Sequence, residues 1–131
     1  MHIEIAISPG EYCDRKSILE IKKARLSDPT KLANTDRELE DLILRGEKLE
    51  FNQEVKRLAQ ELKEVNARLW DIEDFKRRCE EEKNFGSDFI RAAREVYIYN
   101  DRRAQIKRRI NILMNSDIIE EKSHKTVNTP L

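Results

Sequence analysis

The sequence predicts an all-α protein with one short N-terminal β-strand, built as a long antiparallel helical hairpin or coiled coil with a shorter helical hairpin packed at its base. Three observations carry that reading. Only three glycines and three prolines punctuate 131 residues, which leaves long stretches uninterrupted for helices. Two of those stretches, in the second half of the chain, place apolar residues at alternating spacings of three and four. The break between them, Phe85-Gly86-Ser87, is so short that the two stretches must fold back on each other.

Residues 2–7, His-Ile-Glu-Ile-Ala-Ile, put Ile3, Ile5 and Ile7 on one face by period-two alternation, the pattern of a strand. A lone strand needs a partner for its backbone groups, either the Thr126-Val127 region or the same strand in a second copy. Ser8-Pro9-Gly10-Glu11 reads as a capping box with proline at the first helical position, opening a helix over 9–26. Asp28-Pro29 repeats the cap-then-proline chemistry and opens a second helix over 29–45, with Leu32, Leu39, Leu42 and Ile43 as its apolar positions and Gly46 as its stop.

The third helix is expected over 47–82. Val55, Leu58, Leu62, Val65, Leu69 and Ile72 form a heptad seam that Lys76 interrupts and Cys79 resumes. A fourth helix over 88–114 answers with Phe89, Ala92, Val96, Tyr99, Arg103, Ile106, Ile110 and Leu113. Folding one seam onto the other pairs Val55 with Leu113, Leu58 with Ile110, Leu62 with Ile106, Leu69 with Tyr99, Ile72 with Val96 and Cys79 with Phe89. The whole of 1–122 reads as a single helical domain, and 123–131 as a flexible tail unless it pairs with the strand.

Composition limits the function classes. Charged residues make up 40% and hydrophobic residues 38%, enough for one modest core. Lysine plus arginine equals aspartate plus glutamate at 26 each, so no global field recruits nucleic acid or an anionic membrane, and nucleic-acid binding would need a local patch. No apolar run approaches a membrane span and no signal-like segment opens the chain, so the location reads as cytoplasmic. Cys13 and Cys79 read as reduced, partly buried thiols rather than a disulfide.

No metal site or cofactor is expected. His2 and His124 lie near the ends, no CxxC is present, and the carboxylate pairs Glu47/Glu50, Glu61/Glu64 and Asp71/Asp74 lack the Glu-x-x-His of dimetal bundles. The basic stretch Arg102-Arg103-Ala104-Gln105-Ile106-Lys107-Arg108-Arg109 could line a phosphate stripe. The blander reading is a solvated face balanced by Glu61, Glu64 and Asp101. Arg103 sits on the seam itself, where it either snorkels outward or meets a buried acid or a ligand.

The strongest candidate for an interface or ligand patch gathers Trp70, Asp71, Asp74 and Arg77 from the third helix with Tyr97, Asn100, Asp101, Arg103 and Lys107 from the fourth. Two functions from different classes follow. One is a non-enzymatic assembly module, a homodimer or a docking site for another protein, because the stalk is too long for the short helices to cover. The other is a small helical enzyme or binding protein for a phosphate- or carboxylate-bearing metabolite, clamped by Arg77, Arg103 and Lys107 with Glu73 or Asp101 as acid or base.

The segments Ser8-Pro9-Gly10-Glu11, Ile18-Leu19-Glu20-Ile21-Lys22, Leu69-Trp70-Asp71-Ile72-Glu73-Asp74, Phe85-Gly86, Phe89-Ile90 and Asn100-Asp101-Arg102-Arg103-Ala104 carry a resemblance. It continues through Ile106-Lys107-Arg108-Arg109-Ile110-Asn111 and Asn115-Ser116 to Glu120-Glu121-Lys122-Ser123. Together they resemble a family of unknown function, small helical proteins of bacteria and marine phages. The resemblance implies an intracellular protein and supplies no activity or catalytic residue. Glu120 to Ser123 lie beyond the seam, where core packing alone does not explain them, and so point to a ligand or partner near the stalk base.

Overall fold

The computed structural model describes residues 1–127, and it is helical: α1 Pro9–Arg25, α2 Pro29–Arg45, α3 Gln53–Glu82 and α4 Ser87–Leu113. Residues 128–131, the end of the expected tail, lie outside the described residues.

Local chemistry sets the ends of these helices. Ser8 caps α1 by accepting from the Glu11 N–H at 3.1 Å, with Pro9 at the first helical position. The capping box is only half made, because the Glu11 carboxylate turns away to Arg15 and Lys107. Asp28 occupies the cap position of α2 without a side-chain hydrogen bond, and Pro29 fixes the first turn.

The third helix starts six residues later than its pattern suggested. Asn52 Oδ1 accepts from the Val55 N–H at 2.9 Å and starts it at Gln53. In the connector, Phe51 meets the Tyr12 ring edge-on at 6.4 Å. Lys83, in the left-handed region at φ 55°, ends α3. Gly86 takes the cap position of α4, without a side-chain hydrogen bond.

The N-terminal strand does not form. Among the described residues there is no strand, and residues 2–7 belong to no regular element. The reason is the lack of an edge to pair with: the backbone N–H of Val127, the expected partner region, donates instead to Asp101 Oδ2 at 2.7 Å. Ile7 still packs on the core. Ile3 and Ile5 remain 88% and 72% exposed.

Helix α1 is the hub, in contact with α2, α3 and α4, while α2 meets α1 alone among the helices. The most extensive helix pair is α3 with α4, linked across by Arg68–Glu95 at 2.9 Å and Glu54–Arg109 at 3.4 Å. The main core gathers Tyr12 and Cys13 from α1, Val55, Leu58, Leu62 and Val65 from α3, and Ile106 and Ile110 from α4. Burial of these side chains is the dominant favourable contribution to folding. Ile72, Cys79, Ala92 and Ile98 continue the buried row toward the turn. Ile98, absent from the expected seam, is more buried than its seam neighbours Val96 and Tyr99.

Two glycines stand where a side chain would collide. A Cβ on Gly10 would sit 2.5 Å from the Lys107 carbonyl oxygen, and one on Gly46 would overlap the Tyr12 ring. The first lets the start of α1 approach the α4 backbone; the second lets the end of α2 close over the core.

Leu62 has no exposed surface and lies at the centre of this cluster. Leu62→Ala should therefore lower unfolding free energy by about 2–5 kcal/mol in urea denaturation. A change within experimental noise would refute its place in the core.

Candidate functional site

The most elaborate polar assembly in the molecule grows from the first two turns of α1. Helical spacing puts Gly10, Glu11, Asp14 and Ser17 on adjoining positions of α1, and Arg103, Lys107 and Asn111 at every fourth residue of α4. Because α1 approaches α4 so closely at Gly10, the two rows mesh rung by rung. The Gly10 N–H donates to Asn111 Oδ1 at 2.7 Å. Lys107 Nζ donates to Glu11 Oε2 at 2.7 Å. Arg103 grips Asp14 with two bonds, Nε to Oδ1 at 2.8 Å and Nη2 to Oδ2 at 2.6 Å.

Asp14 is the centre. Its residue is 1% exposed, so its charge survives only because partners replace water. Besides Arg103, Asn66 of α3 donates to Oδ1 at 2.9 Å, and Lys107 Nζ lies 3.8 Å from Oδ2. Asn66 also donates to Ser17 Oγ at 2.8 Å, and that hydroxyl donates to the Asp14 backbone carbonyl. One carboxylate thus ties three helices.

The ionisation equilibria follow. Burial works to raise the Asp14 pKa, but hydrogen bonds from Arg103 and Asn66 and the charges of Arg103 and Lys107 outweigh it and hold the carboxyl below its ordinary value. Glu11 behaves likewise: burial raises it, and bonds from Lys107 and Arg15 win. On the cation side, the bond to Asp14 raises Arg103 despite burial. Burial lowers Lys107, and Glu11 and Glu120 more than restore it. These groups are fixed ions at neutral pH, suited to holding a structure and poorly placed to trade protons. Burial, opposed by the charge of Lys16 and aided by that of Asp14, pushes the Cys13 thiol up to about 11, so it is a packing residue rather than a nucleophile.

A strap from Ile118 to Val127 returns along α4. Glu120 reaches Lys107 at 3.0 Å, Glu121 reaches Arg108 at 3.3 Å, and Lys122 reaches Asp101 at 2.6 Å. Asp101 is buried by this strap, and although burial raises its pKa, Lys122 and the Val127 N–H hold it low. The segment beyond the seam therefore has intramolecular partners. The basic stretch is balanced by Asp14, Glu11, Glu120, Glu121 and Glu54, not by the expected Glu61 and Glu64; Glu61 goes to Arg57 in its own helix. Arg102 stacks over the Tyr99 ring at 5.0 Å.

The sequence-predicted patch is divided. Tyr97, Asn100, Asp101, Arg103 and Lys107 line a cleft of about 560 Å³ between α4 and the strap. Trp70 and Asp74 line a shallower groove of about 300 Å³ with Ile18, Asn66 and Leu69. Arg103 borders both, so the two share a wall. Asp71 is drawn off to Arg25 at 2.5 Å. Arg77 is exposed and borders neither.

Sequence reasoning missed Asp14, Ser17, Asn66 and Asn111. None of the four carries a local sign that sets it apart from the other polar residues of its helix. Among the described residues no three His, Cys, Asp or Glu side chains gather as a metal site would need, and no helix is long and apolar enough to cross a membrane.

The model of a family of unknown function, DUF6165, matches residues 1–131, and the chain belongs to that family. No curated protein and no solved structure matches it.

Asp14→Ala strands the Arg103 guanidinium and should cost about 3–5 kcal/mol of stability. The pH dependence has a definite sign. Folded pKa values below the ordinary ones mean that the Asp14 and Glu11 contributions are complete above the usual carboxylate range, about pH 4, and fade as pH falls through the depressed values. Unfolding midpoints measured from neutral pH downward should stay level and then drop below about pH 4, with a shallower drop in Asp14→Asn.

Proposed function

We propose that this member of the family is a cytoplasmic, non-enzymatic assembly module that associates with a second copy of itself through the distal half of α3 and α4. In this reading the two long helices form an antiparallel coiled-coil hairpin in the register that pairs Leu62 with Ile106 and Ile72 with Val96. The gathering of Val55, Leu58, Leu62, Val65, Ile106 and Ile110 in one buried cluster supports that register.

One observation carries the functional reading. Toward the turn the hairpin leaves Phe85 and Ile90 exposed and Phe75 half-buried, and nearer α1 it leaves Tyr97 exposed and Trp70 half-buried in the groove it shares with Ile18. Exposed aromatic and apolar side chains on a pair of helices are suited to an interface. Two such hairpins can bury them in a four-helix arrangement with the same patch on both subunits.

The anion-clamp alternative has less behind it. Arg77 stands apart from Arg103 and Lys107, and both of those cations already hold carboxylates of their own chain. A substrate would have to displace Asp14 or Glu11 from a buried network, at the cost of leaving the displaced charge unpaired.

Trp70→Ala combined with Tyr97→Ala should shift sedimentation toward the monomer while leaving the far-ultraviolet dichroism of the helices unchanged. Unfolding of the double variant would show instead that Trp70 belongs to the core of a single chain. A wild-type protein that scatters light as a strict monomer at tens of micromolar, about the range of ordinary weak association, would remove the proposal.

A further inference from the structure

The N-terminal segment is held at Ile7 and Glu4 but leaves its other two isoleucines uncovered. On its polar face, Glu4 Oε1 accepts from Arg45 Nη2 at 2.9 Å, and Arg45 Nε donates in turn to Asp41 at 3.0 Å. Its apolar face, Ile3 and Ile5, points to water at 88% and 72% exposure. Both also border a groove of about 850 Å³ whose apolar lining continues with Ile7, Tyr12, Leu42 and Leu49. The segment forms one wall of this groove without filling it, and its backbone takes part in no strand ladder.

We infer that residues 2–7 are a second self-association surface, pairing antiparallel with the same segment of another copy so that Ile5 meets Ile5 across the two-fold axis. The sequence selects the occupant and the register together. With Ile5 on the axis, Ile3 lies opposite the second copy's Ile7, Glu4 opposite Ala6, and His2 opposite Ser8. All six isoleucines then share one face, and no like charges are opposed. Moving the axis to Glu4 sets two carboxylates against each other, which is unfavourable, and leaves Ile7 facing Met1. The chosen register also seats Ile3 of each copy over the partner's Ile7, which packs on the core at the edge of the open groove. Backbone pairing supplies the ladder that one chain lacks, and the groove supplies the apolar burial that a bare two-stranded ladder lacks.

This surface is separate from Trp70 and Tyr97 and stands or falls without them. The test is a set of single-cysteine variants, Ile3→Cys, Glu4→Cys, Ile5→Cys and Ala6→Cys, with exposed Ile43→Cys as control. The native Cys13 and Cys79 are buried and stay out of the reaction. Under mild oxidation Ile5→Cys should form disulfide-linked dimer roughly tenfold or more faster than Ile43→Cys, because pairing raises the local thiol concentration. Fastest crosslinking through Glu4→Cys would overturn the register. Rates no faster than the control at all four positions would overturn the interface. Repeating Ile5→Cys in the Trp70→Ala, Tyr97→Ala background separates the two surfaces: persistence of the crosslink supports a second interface, and its loss overturns the inference by assigning association to the stalk. As a non-covalent check, Ile3→Lys with Ile5→Lys should weaken self-association, while their helical dichroism stays at the wild-type level.

Discussion

Burying the Asp14 charge is the constraint around which the rest of the structure is arranged. A carboxylate with 1% exposure is tolerable only when each of its oxygens is held, and no single helix can hold both. Arg103 comes from α4, Asn66 from α3, and the approach that brings them within reach depends on Gly10 having no side chain. The apolar cluster below would accept α1 in several rotations, since hydrophobic contact is non-directional. The forked guanidinium accepts one. The stabilisation from burial and the uniqueness of the arrangement therefore come from different residues.

Much of this was legible in the sequence because it rests on local or periodic rules. Proline after a capping residue placed the starts of α1 and α2, and alternating threes and fours placed α3 and α4 and most of the buried face of α3, while in α4 they found Ala92, Ile106 and Ile110 and missed Glu95, Ile98 and Asp101. What escaped was what depends on distant partners. Asp14 looks like any solvent-facing acid until Arg103, 89 positions away, is beside it. Arg103 was recognisable as an anomaly on its seam, and the acid it meets was not, because nothing local distinguishes one carboxylate of a highly charged chain from another. The strand expectation failed for the converse reason: Ile3, Ile5 and Ile7 carry a true period of two, but periodicity specifies a face and cannot supply an edge. Splitting Trp70 from Asp101 likewise reflects the path of the strap, which no pattern in α3 or α4 encodes.

The two ends of the molecule differ in kind. At the base, α1 and the strap cover the long helices and pair their cations with carboxylates of the same chain, and α2 packs on α1. Away from that base, the pair of long helices carries its own buried row, Ile72, Cys79, Ala92 and Ile98, and little else protects it. Glu95 is the one carboxylate buried there, shared between Arg68 at 2.9 Å and Arg91 at 3.8 Å. Polar specification is thus concentrated at the base, while the far end keeps a narrower, mainly apolar core.

The order in which the chain leaves the ribosome gives the buried pair a further meaning. Asp14 is made early and its cationic partners late, so for most of synthesis the first helix carries an acid that has nowhere dry to go. The α3 and α4 contacts, joined by a short turn, close over far shorter loops and with less entropy lost. The long helices can therefore assemble first and present Asn66, Arg103 and Lys107 as a ready-made cradle. Helix α1, synthesised before α3 and α4, can then dock on them after they have paired, and the strap, synthesised after all four helices, closes over the same region of α4.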